Sequence, residues 1–221
     1  MTRDVRRIDA VATGQFGTVT YAQLMAAGVS RAELRRRIQS GVLQQIGPHT
    51  FRSPMMPTEH LDDLAALLLD CGPDAVASCP TAAALHSLDG FDLGPPFHVT
   101  IRRGRNVQRA RHRIHTTVWL PATDRRRVRG VDCMTATRTL IDLARHCTAE
   151  QLTVAVDSAL RDRLTTELAL HRRIAKLRER GRHGIPKLIA VLDGCDAGHG
   201  GHSWLERRYL ERSRPTVSRS P

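Results

Sequence analysis

The stretch Ser30 to Gln39, SRAELRRRIQ, gathers four guanidinium groups and one side-chain amide into ten residues. On a helix, at 100° per residue, Leu34 and Ile38 share one side, which faces a core. Arg35, Arg36 and Gln39 then fall on the side or back of that face, with Arg31 at its N-terminal flank. Arginine can bond both acceptors of a guanine edge, and glutamine can bond adenine, in the major groove of a duplex. Ser30 stands where a helix cap belongs, and the free N–H groups of a helix start attract phosphate. The solvated face of an ordinary helical hairpin has the same spacing, so the motif alone does not decide. Just beyond it, His49 and Arg52 lie at the turn and far limb of VLQQIGPHTFRS, a hairpin pattern turning at Gly47-Pro48-His49. Such a hairpin can touch backbone or minor groove. A second basic group, Arg102, Arg103, Arg105 and Arg109, belongs to an Arg-dense turn up to Arg113. It suits nucleic-acid phosphate or an acidic protein surface equally, or is a solvated loop held open by its own repulsion. No aromatic is interleaved, so base stacking on a single strand is not supported.

Other chemistry is weakly represented. There is no phosphate-binding P-loop, no HExxH and no nucleophile elbow. His60, His86 and His146 are scattered, and Asp142, Asp157 and Asp162 read as solvent-facing helix residues. The five cysteines, 71, 79, 133, 147 and 195, are odd in number and form no CxxC pair, which argues against disulfides and a four-cysteine zinc site. Cys195, His199 and His202 are close, but in a Gly-rich stretch that offers neither a fourth ligand nor a rigid frame. No catalytic residue, metal or cofactor is expected.

Elements that position the basic groups can be read around them. Thr20 is placed to cap a helix containing Leu24 and Met25, which Gly28 can end. Ser30 opens the next helix and Gly41 closes it. With a preceding helical pattern (Val5, Ile8, Val11 or Ala12) and the following hairpin, this is a winged helix-turn-helix. Residues 53–58 read as a linker. A helix from Glu59 to Cys71 turns Leu61, Leu64, Leu67 and Leu68 inward, and a short one follows Ser78 with Pro80 in its first turn. Phe97 to Arg103 and Ile114 to Leu120 alternate as strands, and VRGVDCM suggests a third, shorter one. From 135 the pattern is helical. Leu140, Ile141 and Ala144 share a face, and Thr148 with Gln151 forms a capping box for a helix at 149–164. Leu168, Leu170 or His171, Ile174 and Leu177 turn inward before Gly181, and IPKLIAVLDG ends at Gly194. HSWLERRYLER starts a further amphipathic helix, and RSRPTVSRSP is too polar to pack.

The expected class is α+β, with a winged helix-turn-helix at 1–55, a mixed α/β domain at 59–195 with a helical C-terminal part, and a Gly-rich linker and tail at 196–221. The 221 residues are 41% hydrophobic and 25% charged, as in ordinary globular chains. Net charge is +12, and 32 of the 34 basic residues are arginine. Charge is segregated, with six acids and no base at 61–100 but ten arginines against one acid at 101–130. Such blocks fit a nucleic-acid binder better than a uniformly basic surface would. The densest apolar run, LAALLLDC, is far shorter than a membrane span, and MTRDVRRIDAV lacks a signal core, so a cytoplasmic location is expected.

The order GTVTYAQLMAAGVSRAELRRRIQSGVLQQIGPHTF resembles the winged-helix domain of AbiEi-type antitoxins of type IV toxin–antitoxin systems. ALLLDCGPDAVASCPTAAALHSL, FHVTIRR and TATRTLIDLA continue the likeness to about residue 195. The resemblance implies a non-enzymatic protein that binds double-stranded DNA at its own promoter as a repressor. It also implies that the rest of the chain counters a nucleotidyltransferase-like toxin. Alternatives are an orphan winged-helix regulator and an interaction module that binds no DNA. GGHSWLERRYLE is similar to the first helix of an endonuclease-like domain related to very-short-patch repair nucleases. Such a domain needs further acids and a Glu-x-Lys to hold a metal. Glu206 alone does not supply them, so the tail reads as a truncated remnant without nuclease activity.

Overall fold

The computed structural model describes residues 11–55, 58–178 and 185–198. The chain divides into two compact units. One comprises the described residues up to Ser87 together with Phe91–Thr135, the other Leu88–Gly90 and the described residues from Ala136 onward.

The first unit opens on the winged element. After helical residues 11–13 come β1 (Thr18–Thr20), α1 (Tyr21–Ala26), α2 (Arg31–Gln39), β2 (Gln44–Gln45) and β3 (Thr50–Arg52). Thr20 caps α1 through a reciprocal box. Its Oγ1 accepts from the Gln23 N–H at 3.2 Å, while its own N–H donates to Gln23 Oε1 at 2.8 Å. Gly28, at φ +89°, turns the chain after α1, and Ser30 Oγ accepts from the Glu33 N–H at 3.1 Å to start α2. Val19, Leu24, Val29, Leu34 and Phe51 close a small core under both helices. The strands form an antiparallel sheet in the order β1-β3-β2. Strand β1 was not foreseen in the sequence. It is three residues long, and its partners in β3 lie 30 to 34 positions away in the chain.

The same unit continues with α3 (His60–Cys71), β4 (Val76–Ala77), α4 (Cys79–Leu85), β5 (His98–Arg102), β6 (Arg113–Thr117), β7 (Arg125–Val128) and β8 (Val131–Met134). The strands make one mixed sheet, ordered β6-β5-β4-β8-β7. Helix α3 lays Leu64, Leu67 and Leu68 into a core with Leu85, Phe97, Val99 and Ile101. Each such leucine contributes about 1.5–3 kcal/mol. The sequence suggested one short strand in VRGVDCM, but a hairpin forms. Val128 pairs with Val131, and Arg129 and Gly130 adopt φ +49° and +83°, the mirror-image turn that suits strand twist. The parallel pair β5–β6 joins through residues 103–112, so the Arg-rich turn runs back along the strands from the end of β5 to the start of β6.

The second unit holds α5 (Ala136–Leu143), α6 (Ala149–Arg161), α7 (Glu167–Arg178) and α8 (Ile185–Gly198). Thr148 and Gln151 cap α6 reciprocally. Leu170, Ile174 and Leu177 are buried, but Leu168, expected inward, is 45% exposed, because its neighbour two residues on takes the core position. Helix α6 ends at Arg161, where Asp162 caps it, short of the expected 164. Helix α8 does not stop at Gly194 but runs to Gly198. A glycine in mid-helix costs only about 1 kcal/mol, and the burial of Leu188, Val191 and Leu192 just before it outweighs that. The expected features at Gly181, His199, His202 and Glu206, with the tail to 221, lie outside the described residues. Cys71, Cys79, Cys133 and Cys147 are buried, and none of these four is in a disulfide.

Candidate nucleic-acid interface

Helix α2 presents its polar side to solvent. Arg31, Arg35, Arg36 and Gln39 are all exposed, while Leu34 is buried and Ile38 packs against the small core. The four polar side chains are not equivalent. Arg31 Nε donates to the Tyr21 hydroxyl at 3.0 Å, so α1 steadies its guanidinium. Arg36 pairs with Glu33, and Arg37 Nε donates to the other Glu33 oxygen at 2.9 Å. Arg35 and Gln39 carry no side-chain partner among the described residues, and lie four apart, one turn, on the exposed side. The Ser30 hydroxyl is occupied as the cap of α2, so its part in binding is to hold the helix start in place.

The wing turn is Ile46 to His49, between β2 and β3. The His49 side chain is exposed, but its backbone is fixed on both sides. Its N–H donates to Asp70 Oδ1 at 2.7 Å, and its carbonyl accepts from the Tyr21 N–H at 2.8 Å. Asp70, on α3, is buried with its side chain 2% exposed. Its carboxylate also pairs with Arg109 Nε, and its backbone carbonyl accepts from Arg109 Nη2 at 3.2 Å. The carboxylate lies so close to Gly47 that an added Cβ there would stand 2.8 Å from Asp70 Cγ. Only glycine fits that corner of the wing. One buried acid therefore ties the wing turn, α3 and the Arg-rich turn together.

This arrangement changes the roles expected of two arginines. Arg52 was expected to reach phosphate from beyond the wing. Its side chain is only 12% exposed and donates to Asp63 Oδ1 at 2.9 Å, because the register of β3 turns it towards α3. Arg109, a candidate partner contact, is held by Asp70 with its side chain 16% exposed. Arg102 lies 4.0 Å from Asp74, and the Arg105 guanidinium sits over Gly72, where an added Cβ would collide with it. Arg103 is exposed without an ion pair among the described residues.

Sequence reasoning missed Asp70 and Asp63. The available signal was an acid breaking the apolar run LLLD on the inward side of a helix, a residue type seldom buried without a cationic partner. It also missed Tyr21 and Glu33 as the groups that orient Arg31 and Arg36.

Two short helices joined at a positive-φ glycine, followed by a two-stranded wing, make the N-terminal part a winged helix-turn-helix. Residues 6–54 match the model of a family described as "Transcriptional regulator, AbiEi antitoxin". The match covers the winged element and stops before α3. No curated protein matches the chain. Among solved structures, the RV2827C protein from Mycobacterium tuberculosis is similar over 71% of this chain and 72% of that one. Identity is 14% and the TM-score 0.43, too loose a likeness to carry any argument. No helix among the described residues is long and apolar enough to cross a membrane.

Proposed function

We propose that this protein is a DNA-binding antitoxin that occupies its own promoter through α2 and the wing, and whose remaining chain counters a nucleotidyltransferase-like toxin. The observation that carries the DNA half is the pair Arg35 and Gln39, unpartnered among the described residues. They lie one turn apart on the open side of a capped helix, with a wing beside it. Arg31, Arg36 and His49 flank that pair with positive or polar groups, and the Ser30 cap sets the helix start from which backbone N–H groups meet phosphate. The family description of residues 6–54 supports both the regulator and the antitoxin reading. No catalysis belongs to it.

Mobility shifts with the duplex upstream of the gene, at two salt concentrations, test the reading. Four or more phosphate contacts make affinity fall about a hundredfold between ~50 and ~200 mM salt. Arg35→Ala should lose about 1–3 kcal/mol on that duplex and relax its preference at one or two base pairs. Salt-independent affinity, or no binding at all, refutes the proposal.

A further inference from the structure

Ten arginines and one acid fill residues 101–130, and the winged element alone gives most of them no task. Their placement separates them. Arg102 and Arg125 lie against Asp74, Arg105 covers Gly72, and Arg109 is bound by Asp70. Arg111 is exposed and makes no ion pair among the described residues. It lines a groove of about 380 Å³. One wall of that groove is the wing, Ile46, Gly47 and Pro48, and the other is the last part of the Arg-rich turn. The floor holds two carboxylates, Asp63 and Asp70, each already paired with an arginine, Arg52 and Arg109. Their charges are thus offset, and Arg111 leaves the rim of the groove positive.

We infer that Arg111 is a second backbone contact to duplex DNA, set beside the wing, so that the Arg-rich turn lengthens the DNA footprint at one end only. This rests on the proposed binding through α2 and the wing. The reason to choose DNA over an acidic protein is the shared anchor. Asp70 fixes the wing turn through the His49 N–H and fixes Arg109, two residues before Arg111, so a phosphate backbone lying on the wing also passes Arg111. The contact is assigned to phosphate, because Arg111 stands beside the wing rather than on the helix proposed to enter the major groove, and phosphate and sugar take about half to two-thirds of protein–DNA hydrogen bonds. Arg103 sits at the other end of the turn. Its N–H bonds the Thr117 carbonyl, whereas the Arg113 N–H bonds that of Phe97. The two ends are five strand steps apart, roughly 16 Å. Arg103 therefore stays off the DNA.

The test measures the binding of full-length protein to the upstream duplex and to an unrelated duplex across a salt series. Arg111→Ala should weaken both by a similar factor, about five- to tenfold near 0.1 M salt, and lower the salt slope by about one unit. Arg111→Lys should keep the slope, and Arg103→Ala should match wild type on both. If wild type binds and Arg111→Ala leaves the slope unchanged, the inference is wrong and the turn faces another partner, such as an acidic protein. If Arg103→Ala lowers the slope as much as Arg111→Ala, the effect is diffuse charge and the placement is wrong. If wild type binds neither duplex, the function proposed above falls first and takes this inference with it.

Discussion

A single carboxylate explains more of the winged unit than any basic residue does. Asp70 is buried, faces Arg109, and accepts from the wing backbone. Removing one member of a buried ion pair leaves the other charge uncompensated, at about 3–5 kcal/mol, whereas replacing both with apolar groups is often tolerated. Asp70→Ala and Arg109→Ala should each lower stability by about that amount, and Asp70→Leu with Arg109→Met should lose less than the sum of the single losses. Chemical denaturation of the four proteins checks it, and additive losses would show that the pair does not act as a unit. The residue scale was also the least legible in the sequence. Arg31, Arg35, Arg36 and Gln39 could be placed on an exposed helix side from periodicity, since only local spacing was needed. The capture of Arg52 by Asp63 and of Arg109 by Asp70 depends on pairings 11 and 39 positions apart. No local pattern encodes those.

At the scale of elements, caps and turns were readable because their chemistry is local. Thr20, Gly28, Ser30, Thr148 and Gln151 all do what their types suggest. The two-residue strand β4, the strand β1 and the continuation of α8 past Gly194 were not, because tertiary packing makes them. The Ser30 cap holds the start of α2 and is proposed to serve binding as well, and the two roles can be parted. Ser30→Ala should destabilise by about 1 kcal/mol, and Ser30→Gly by only a few tenths. Ser30→Asp caps equally well but brings a negative charge to the helix start that is proposed to meet phosphate. It should match wild type within about 0.5 kcal/mol in thermal unfolding while losing most of its DNA affinity. If Ser30→Asp binds DNA as wild type does, the start of α2 is not at the backbone.

For the whole molecule, one buried imidazole links stability to pH. His86 Nε2–H donates to the Met134 carbonyl at 2.7 Å. Burial holds its pKa below the ordinary histidine value, although that hydrogen bond acts the other way and Arg126 adds to the lowering. The unfolded chain then takes up a proton at a higher pH than the folded one. Its contribution to stability is complete above about pH 6.5 and is lost as pH falls through the lower folded value. Melting temperature should rise from pH 5 to 7.5, and His86→Gln should flatten that rise; an equal slope in the variant would move the cause elsewhere, to His112 for instance, whose pKa burial also lowers. The α+β class and the winged start were visible in the sequence as a whole, because segment order and the segregation of acidic and basic blocks survive without any contact being known. Sheet order was not, since β4 joins β5 and β8 across long intervals.

Four of the cysteines lie under that packing. Burial pushes the Cys71 thiol up to about 11, with Arg109 pulling against it and Asp70 adding to it, and the Cys133 thiol up to about 12. Cys147 is raised as well, by burial against the pull of Lys187. At neutral pH only about one in ten thousand of the Cys71 groups is ionised while the fold is closed. An alkylating reagent in solution therefore meets almost no nucleophile at these positions until the chain opens. Their slow capture is a clock of spontaneous opening already wired into the natural sequence, with Cys71 timing the layer beneath the wing and Cys147 timing the helical unit.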